Sequence, residues 1–268
     1  MSISEADAVR ALSLACFGVE PDSVQLEAMI VEIDGDPLKL EAVARRMGEF
    51  RLKMDRIHHR RLPDHSQYGE FAMLLRELVT AGRSHGIIVD VGANGRAGSN
   101  SYDLLTDYGW KALLIEANPH LVSRIRSEFG NAAYDLVCCA IGITPGSKTL
   151  HLGIDDQISS LRSERVANWG AVTGSVDVTV RRLPDVLDEN RIPRDFDILS
   201  LDIEDADADV FNDLVSTSSY RPRWVVIETA LELDKTTLAS SAFSAQVRGL
   251  YDLADRTLPN LVLRRIGL

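Results

Sequence analysis

A glycine-containing segment after an apolar run is the first feature that could bind a ligand. Residues 86–92 (GIIVDVG) predict a buried strand, and Gly92 and Gly95 then allow a tight turn and a close approach to the backbone. Their spacing differs from the Gly-x-Gly-x-x-Gly pattern that suits a dinucleotide pyrophosphate. Asp90 would repel a phosphate, but its charge suits an ammonium group such as that of S-adenosylmethionine. We therefore prefer this cofactor to a nicotinamide dinucleotide, while a plain tight turn is the alternative.

A single acid ends the next apolar run. Residues 111–117 (KALLIEA) predict a second buried strand, and Glu116 stands 24 residues after Gly92. A carboxylate at this position can accept hydrogen bonds from both ribose hydroxyls of an adenosine. The alternative is an ordinary surface glutamate at a strand end.

Three further acids follow two later apolar runs, 196–204 (FDILSLDIE) and 223–229 (RWVVIET). Because ligands bind beyond the carboxyl ends of parallel strands, we expect Asp202, Glu204 and Glu228 to be catalytic, with a carboxylate as general base. Asp202 and Glu228 are also candidate ligands of Mg²⁺. The alternative is that acids near Asp205 only stabilise the N-terminus of the next helix.

The elements around these residues alternate between strand and helix. A helix follows the glycine segment, and a helix over 119–129 and a strand near 133–140 follow Glu116. This order is typical of an α/β fold with a doubly wound parallel sheet. Further expectations are strands over 146–153, 175–183 and 261–266, a polar loop over 154–174 with a role as a lid or binding segment, and a helix near 243–253.

Residues 1–60 differ in pattern from the rest. They predict three short amphipathic helices without a strand, one of which begins at Asp36 and Pro37. A polar segment over 58–67 follows, so we expect a helical accessory domain over 1–60 and a catalytic domain over 64–268. Apolar faces on the N-terminal helices could form a homo-oligomer or pack on the catalytic domain.

Composition narrows the classes of partner. The net charge of −11 argues against a nucleic acid partner, because both surfaces are negative. Three cysteines without Cys-x-x-Cys spacing argue against a disulfide framework or a zinc site. No stretch reaches the ~20 apolar residues of a membrane span, which favours a cytoplasmic location.

A series of short motifs runs through residues 64–268. They are SQYGE (66–70), VDVGAN with Gly95 (89–95), GSNS (98–101), Gly109-Trp110, IEANP (115–119), AIG (140–142), Ser159-Ser160-Leu161, LSLDIE (199–204) and VVIE (225–228). In this order and spacing, the motifs resemble those of the FkbM family of methyltransferases. The resemblance implies a class I, Rossmann-like methyltransferase fold, preceded here by the small all-helical domain. It also implies O-methylation, with S-adenosylmethionine, of a small hydroxylated substrate such as a sugar, glycoconjugate or natural product.

Carried over by position, the resemblance assigns roles to individual residues. The predicted cofactor-binding residues are Tyr68, Asp90, Gly92, Ala93, Asn94, Gly95, Ser99, Asn100, Glu116 and Ala117, with Tyr68 as part of a roof over the cofactor. Asp202 and Glu204 are implied to lie at the catalytic face.

The sequence departs from the family pattern at two points. The glycine loop is one residue shorter, and Asp205 replaces the glycine of LDIEG. These departures support the alternative of a non-catalytic protein that binds S-adenosylmethionine as a scaffold. The N-terminal residues are similar to a small module found beside glycan-modifying enzymes, which favours a glycan-related substrate.

Overall fold

The computed structural model describes residues 4–17, 21, 23–45, 47, 64–154, 159–204, 206–229, 238, 242–257 and 259–267. The chain divides into two compact units, Met1–Pro63 and Asp64–Leu268. Residues 58–63, which are most of the polar segment on which the predicted boundary falls, lie outside the described ranges. None of the described helices is long and apolar enough to cross a membrane.

The N-terminal unit contains the helices that the sequence predicted. They are α1 (Glu5–Phe17), α2 (Ser23–Ile33) and α3 (37–45). Asp36 begins α3 as expected, since its carboxylate accepts a hydrogen bond from the Leu38 backbone N–H at 2.9 Å. Val9, Ile33 and Val43 form a small buried cluster inside this unit.

The second unit is a mixed α/β structure with two sheets. Its strands are β1 (Ile87–Val91), β2 (Lys111–Glu116), β3 (Ala133–Cys138), β4 (Ala140–Ile141), β5 (Gly146–Gly153), β6 (Ser159–Ser160), β7 (Val172–Arg181), β8 (Ile198–Leu201), β9 (Trp224–Glu228), β10 (Tyr251–Arg256) and β11 (Asn260–Arg265). Its helices are α4 (Glu70–Thr80), α5 (Tyr102–Tyr108), α6 (Pro119–Phe129), α7 (Ser163–Trp169), α8 (Leu183–Glu189), α9 (Asp207–Thr217) and α10 (Ala245–Leu250).

The larger sheet has seven strands in the order β10-β11-β9-β8-β1-β2-β3. The strands from β9 through β3 pair in parallel, and β11 joins β9 and β10 in antiparallel pairs. Strands β1, β2, β8 and β9 are almost continuous apolar runs, because a parallel sheet is covered on both faces. Their packing fixes the carboxyl ends of these strands beside one another.

The smaller sheet, in the order β4-β7-β5-β6, corrects the expectation of a loop over 154–174. This segment contains β6, α7 and the start of β7, and residues 155–158 lie outside the described ranges. Helix α7 is anchored by the buried Val166. A helix of seven residues spans about two turns, which is too short for an apolar periodicity to stand out.

The C-terminal region corrects a second prediction. Helix α10 ends at Leu250, and residues predicted to continue it form β10, an edge strand paired with β11. The charged residues of YDLADR hid this strand in the sequence, although charges are common on edge strands. Helix α8, which follows β7, was not predicted.

Candidate active site

The strand ends at the centre of the sheet converge on Gly92. A Cβ atom at this position would overlap the carbonyl oxygen of Asp202, and the φ of +86° is also one that favours glycine. The Gly92 N–H donates to the Ile115 carbonyl at 2.9 Å, and the Asp202 N–H donates to the Val91 carbonyl at 3.1 Å. Glycine therefore lets the ends of β1, β2 and β8 meet around one point.

Glu116 is buried at the end of β2 and is held by backbone donors. Its Oε2 accepts from the Asn94 N–H at 3.0 Å, and its Oε1 accepts from the Asn118 N–H at 2.6 Å. Burial raises the pKa of Glu116, while these N–H groups and the Arg124 guanidinium act in the opposite direction. Each carboxylate oxygen has a second lone pair, so Glu116 can still accept hydrogen bonds from a ligand.

Asp90 lies beneath the glycine loop in a polar network. Its carboxylate accepts from the Ser101 hydroxyl at 2.5 Å, and burial raises its pKa while hydrogen bonds from Ser101 and Ser200 lower it. The amide nitrogen of Asn100 donates to the Ser200 hydroxyl at 3.2 Å. The Asn100 Oδ1 is buried and has no hydrogen-bond partner among the described residues.

The three strand-end acids come together as a cluster. One carboxylate oxygen from each of Asp202, Glu204 and Glu228 lies within 4.8 Å of the other two. Burial raises the pKa of Asp202 well above its usual range, and repulsion from Glu228 and Glu204 adds to the effect. The hydrogen bond between the Asp202 and Glu228 carboxyl groups raises the pKa of Asp202 further and lowers that of Glu228. Oxygen donors grouped in this way could hold Mg²⁺ or transfer a proton.

The pKa of Glu228 lies near neutrality. Burial raises its pKa to about 7, with repulsion from Glu204 and Asp207, while Arg165 and the Asp202 hydrogen bond oppose the rise. Two neighbouring acids with displaced pKa values are typical of sites that move protons.

Arg165 of α7 lies against the acid cluster. It was not among the site residues predicted from the sequence. Its Nε donates to Glu204 Oε2 at 3.0 Å, and its Nη2 lies 3.8 Å from Glu228 Oε1. Glu204 itself has a φ of +59°, which is unusual for a residue with a side chain. The sequence carries no local signal for this contact, since 39 residues separate the partners.

A pocket open to solvent runs from Glu116 to Asp202 and Glu204 of the acid cluster, while Glu228 is not among its lining residues. Six of the site residues predicted from the sequence line this pocket: Gly92, Asn94, Glu116, Ala117, Asp202 and Glu204. Its other lining residues are Val91, Ile115, Leu121, Cys139, Ala140, Ile141, Leu150, Ser159, Ser160, Leu161 and Ile203. The motifs AIG and Ser159-Ser160-Leu161 pointed to some of these positions, although no role was predicted for them.

The other predicted cofactor-binding residues do not line this pocket: Tyr68, Asp90, Ala93, Gly95, Ser99 and Asn100. Tyr68 is 48% exposed, in a segment that pairs with the glycine loop through Ser66 and Gly98. The Ser99 hydroxyl accepts from the Tyr102 N–H at 3.0 Å at the start of α5. Gly95 packs against α6, where an added Cβ would lie 2.7 Å from Glu128 Oε2. Contact of these residues with a cofactor stays a prediction, and Asp205 lies outside the described residues.

Comparison with known proteins agrees with the resemblance found in the motifs. The Methyltransferase FkbM domain matches residues 90–240, which is more than half of the chain. Neither a curated protein nor a solved structure matches the chain. The matched region begins at Asp90 and includes Glu116 and all three acids of the cluster. On this evidence the chain belongs to the FkbM methyltransferase family, and the activity that its domain supports is methyl transfer.

Proposed function

We propose that the protein is an S-adenosylmethionine-dependent O-methyltransferase that acts on a hydroxyl group of a sugar, glycoconjugate or natural product. The observation that carries the proposal is the pocket that connects Glu116 with the carboxylate cluster. One end offers an acid for ribose hydroxyls, and the other offers a group that can take a proton.

The strand order supports a doubly wound, class I methyltransferase fold. From β1 the chain adds β2 and β3 on one side of the sheet, and it later places β8 and β9 on the other side. Ligands of open α/β sheets bind where the strand order reverses, beyond the carboxyl ends of the strands. Gly92 and Asp202 follow the two strands at this point, β1 and β8.

The residues at the Glu116 end fit the nucleoside half of the cofactor. Glu116 can accept the ribose hydroxyls, and Leu121 and Ile141 offer apolar contacts for the adenine ring. The Asn100 Oδ1 is buried without a partner among the described residues but does not line the pocket, so its contact with the cofactor stays a prediction. When bound, S-adenosylmethionine supplies a methyl group already activated by its sulfonium, so the protein's main tasks are positioning and proton removal.

The acid cluster fits the removal of the acceptor proton. Asp202 lines the pocket and is hydrogen-bonded to Glu228, and its raised pKa favours the protonated carboxyl group that a relay to Glu228 requires. As the hydroxyl oxygen forms its bond to the methyl carbon and the carbon–sulfur bond breaks, the hydroxyl proton passes to Asp202. Asp202 in turn passes its own proton to Glu228, so the net proton acceptor is the group with a pKa of about 7.

Methyl transfer from labelled S-adenosylmethionine to a panel of glycosides and hydroxylated natural products tests this proposal. We expect release of S-adenosylhomocysteine together with a labelled product that survives mild base, as a methyl ether does and a methyl ester does not. A label found only in base-labile esters or on nitrogen would contradict O-methylation of a hydroxyl. Cofactor binding without turnover on any acceptor would favour the scaffold alternative.

A further inference from the structure

We propose that Arg165 is a positioning residue whose guanidinium supplies the counter-charge of the acid cluster from within the chain, so that the cluster needs no divalent cation. The proposal rests on the proposed function, because it concerns how the base of that reaction is held. Asp202 and Glu228 could serve either as a proton-transfer pair or as ligands of Mg²⁺, and the proposal favours proton transfer.

The guanidinium reaches two of the three carboxylates. It donates to Glu204 at 3.0 Å and lies 3.8 Å from Glu228. The exposed fractions of these side chains are 25% for Arg165, 17% for Glu204 and 20% for Glu228, so water screens the three charges less than on an open surface. A planar guanidinium suits this bridging position, since it presents several donors in a fixed geometry.

The negative charges around the cluster explain why a positively charged group is needed beside it. Oxygens of Glu204 and Glu228 lie within 4.8 Å of each other, so their negative charges repel, and Asp207 adds to the repulsion at Glu228. Arg165 opposes this repulsion at Glu228. A divalent cation between the same oxygens would compete with the guanidinium for the same charge, and one guanidinium already contacts both glutamates.

The surrounding structure fixes Arg165 in place. Val166, the next residue of α7, is fully buried, so the helix has a firm anchor. The Ser160 hydroxyl donates to the Glu204 carbonyl at 3.4 Å and accepts from the Arg162 N–H at 3.1 Å. The start of α7 and the Glu204 turn are therefore tied to the same serine, and this places the guanidinium beside its carboxylates.

Titration with Mn²⁺, followed by electron paramagnetic resonance, tests the proposal without an acceptor substrate. We expect only weak, non-saturable Mn²⁺ binding by the wild-type protein, and in Arg165→Gln a new single saturable site with an affinity at least about 10-fold above that residual binding. The new site should disappear when Glu204→Gln is added. Arg165→Lys should resemble the wild type, because it restores the positive charge, and Arg162→Gln serves as the control from the same helix start.

Saturable Mn²⁺ binding by the wild type that Glu204→Gln abolishes would overturn the proposal, and this arm does not depend on how well the Arg165 variants fold. A folded Arg165→Gln protein that gains no Mn²⁺ site would also overturn it. S-adenosylhomocysteine binding, measured in parallel, should be the same in the wild type and Arg165→Gln. Failure of the wild type to bind S-adenosylhomocysteine would contradict the proposed function instead of the role of Arg165.

Discussion

The two ends of the pocket use carboxylates in opposite ways. Backbone N–H groups hold both oxygens of Glu116, and the Arg124 guanidinium adds a favourable charge. At the other end, Asp202, Glu204 and Glu228 face one another, and Arg165 is their counter-charge in the contacts described. A carboxylate fixed by backbone donors suits ligand binding, whereas acids that repel one another retain protons near neutral pH and suit proton transfer.

Gly92 joins the two ends, and its replacement is the largest perturbation that we predict. In Gly92→Ala the new Cβ would meet the Asp202 carbonyl, which is backbone and cannot turn aside. We expect a loss of more than about 3 kcal/mol in the free energy of unfolding, measured by urea denaturation. Gly98→Ala is the matched control, since Gly98 also has a positive φ, of +79°, but no atom lies within 4 Å of an added Cβ. Its cost should be about 1 kcal/mol, and equal losses would contradict this role of Gly92.

Asp202→Asn should separate binding from chemistry. Asparagine keeps the shape and can donate to Glu228, but it cannot relay a proton. We expect turnover to fall at least about 100-fold, while S-adenosylhomocysteine affinity changes less than about 2-fold. The control is Asp213→Asn, which removes an α9 carboxylate that is paired with Arg182. A fully active Asp202→Asn enzyme would rule out Asp202 as the group that receives the acceptor proton.

The pH dependence of turnover should report the acid pair. Because Glu228 must be ionised to receive the proton and its pKa is raised to about 7, activity should increase as the pH rises through that value. Below it, the rate should fall about 10-fold per pH unit. A profile that is flat between pH 5 and 8, with binding saturated, would mean that the pair does not limit the reaction.

Glu228→Gln should have a smaller effect, an increase in the free energy of unfolding at high pH, because it removes a charge that the neighbouring acids repel. A folded-state pKa above the unfolded value means that the folded protein holds its proton more tightly, so the stability from this group is present at low pH and is lost as the pH rises through about 7. The variant should therefore exceed the wild type by about 1–2 kcal/mol at pH 8, and this advantage should vanish near pH 5. Thermal melts across this range would show it, and a variant less stable at pH 8 would contradict the assigned repulsion.

Much of the site could be predicted because its residues follow strands that are visible in the sequence. The apolar runs before Glu116 and Asp202 mark buried strands, and parallel strands bring their carboxyl ends to one edge. The same reasoning could not find Arg165. It lies on a short helix without a clear apolar period, and its partner Glu204 is 39 residues away in the chain.

The roles of the glycines show a second limit of the sequence. Gly92 predicted a close approach to the backbone, and the neighbour that requires it is the carbonyl of Asp202, which follows β8 more than 100 residues later in the chain. Gly95 faces the Glu128 side chain of α6. A glycine in the sequence indicates that space is short, but the fold decides which atoms occupy the space.

The most direct test of the account is calorimetric titration of the purified protein with S-adenosylhomocysteine, in the wild type, Glu116→Gln and Asp202→Asn. Glutamine keeps the length of Glu116 but removes its charge and one of its two acceptor oxygens. We predict saturable binding by the wild type, a loss of about 10-fold in Glu116→Gln, and nearly unchanged binding in Asp202→Asn. Absence of binding by the folded wild type, or equal binding by the wild type and Glu116→Gln, would contradict the division of the pocket into a cofactor end and a proton-transfer end.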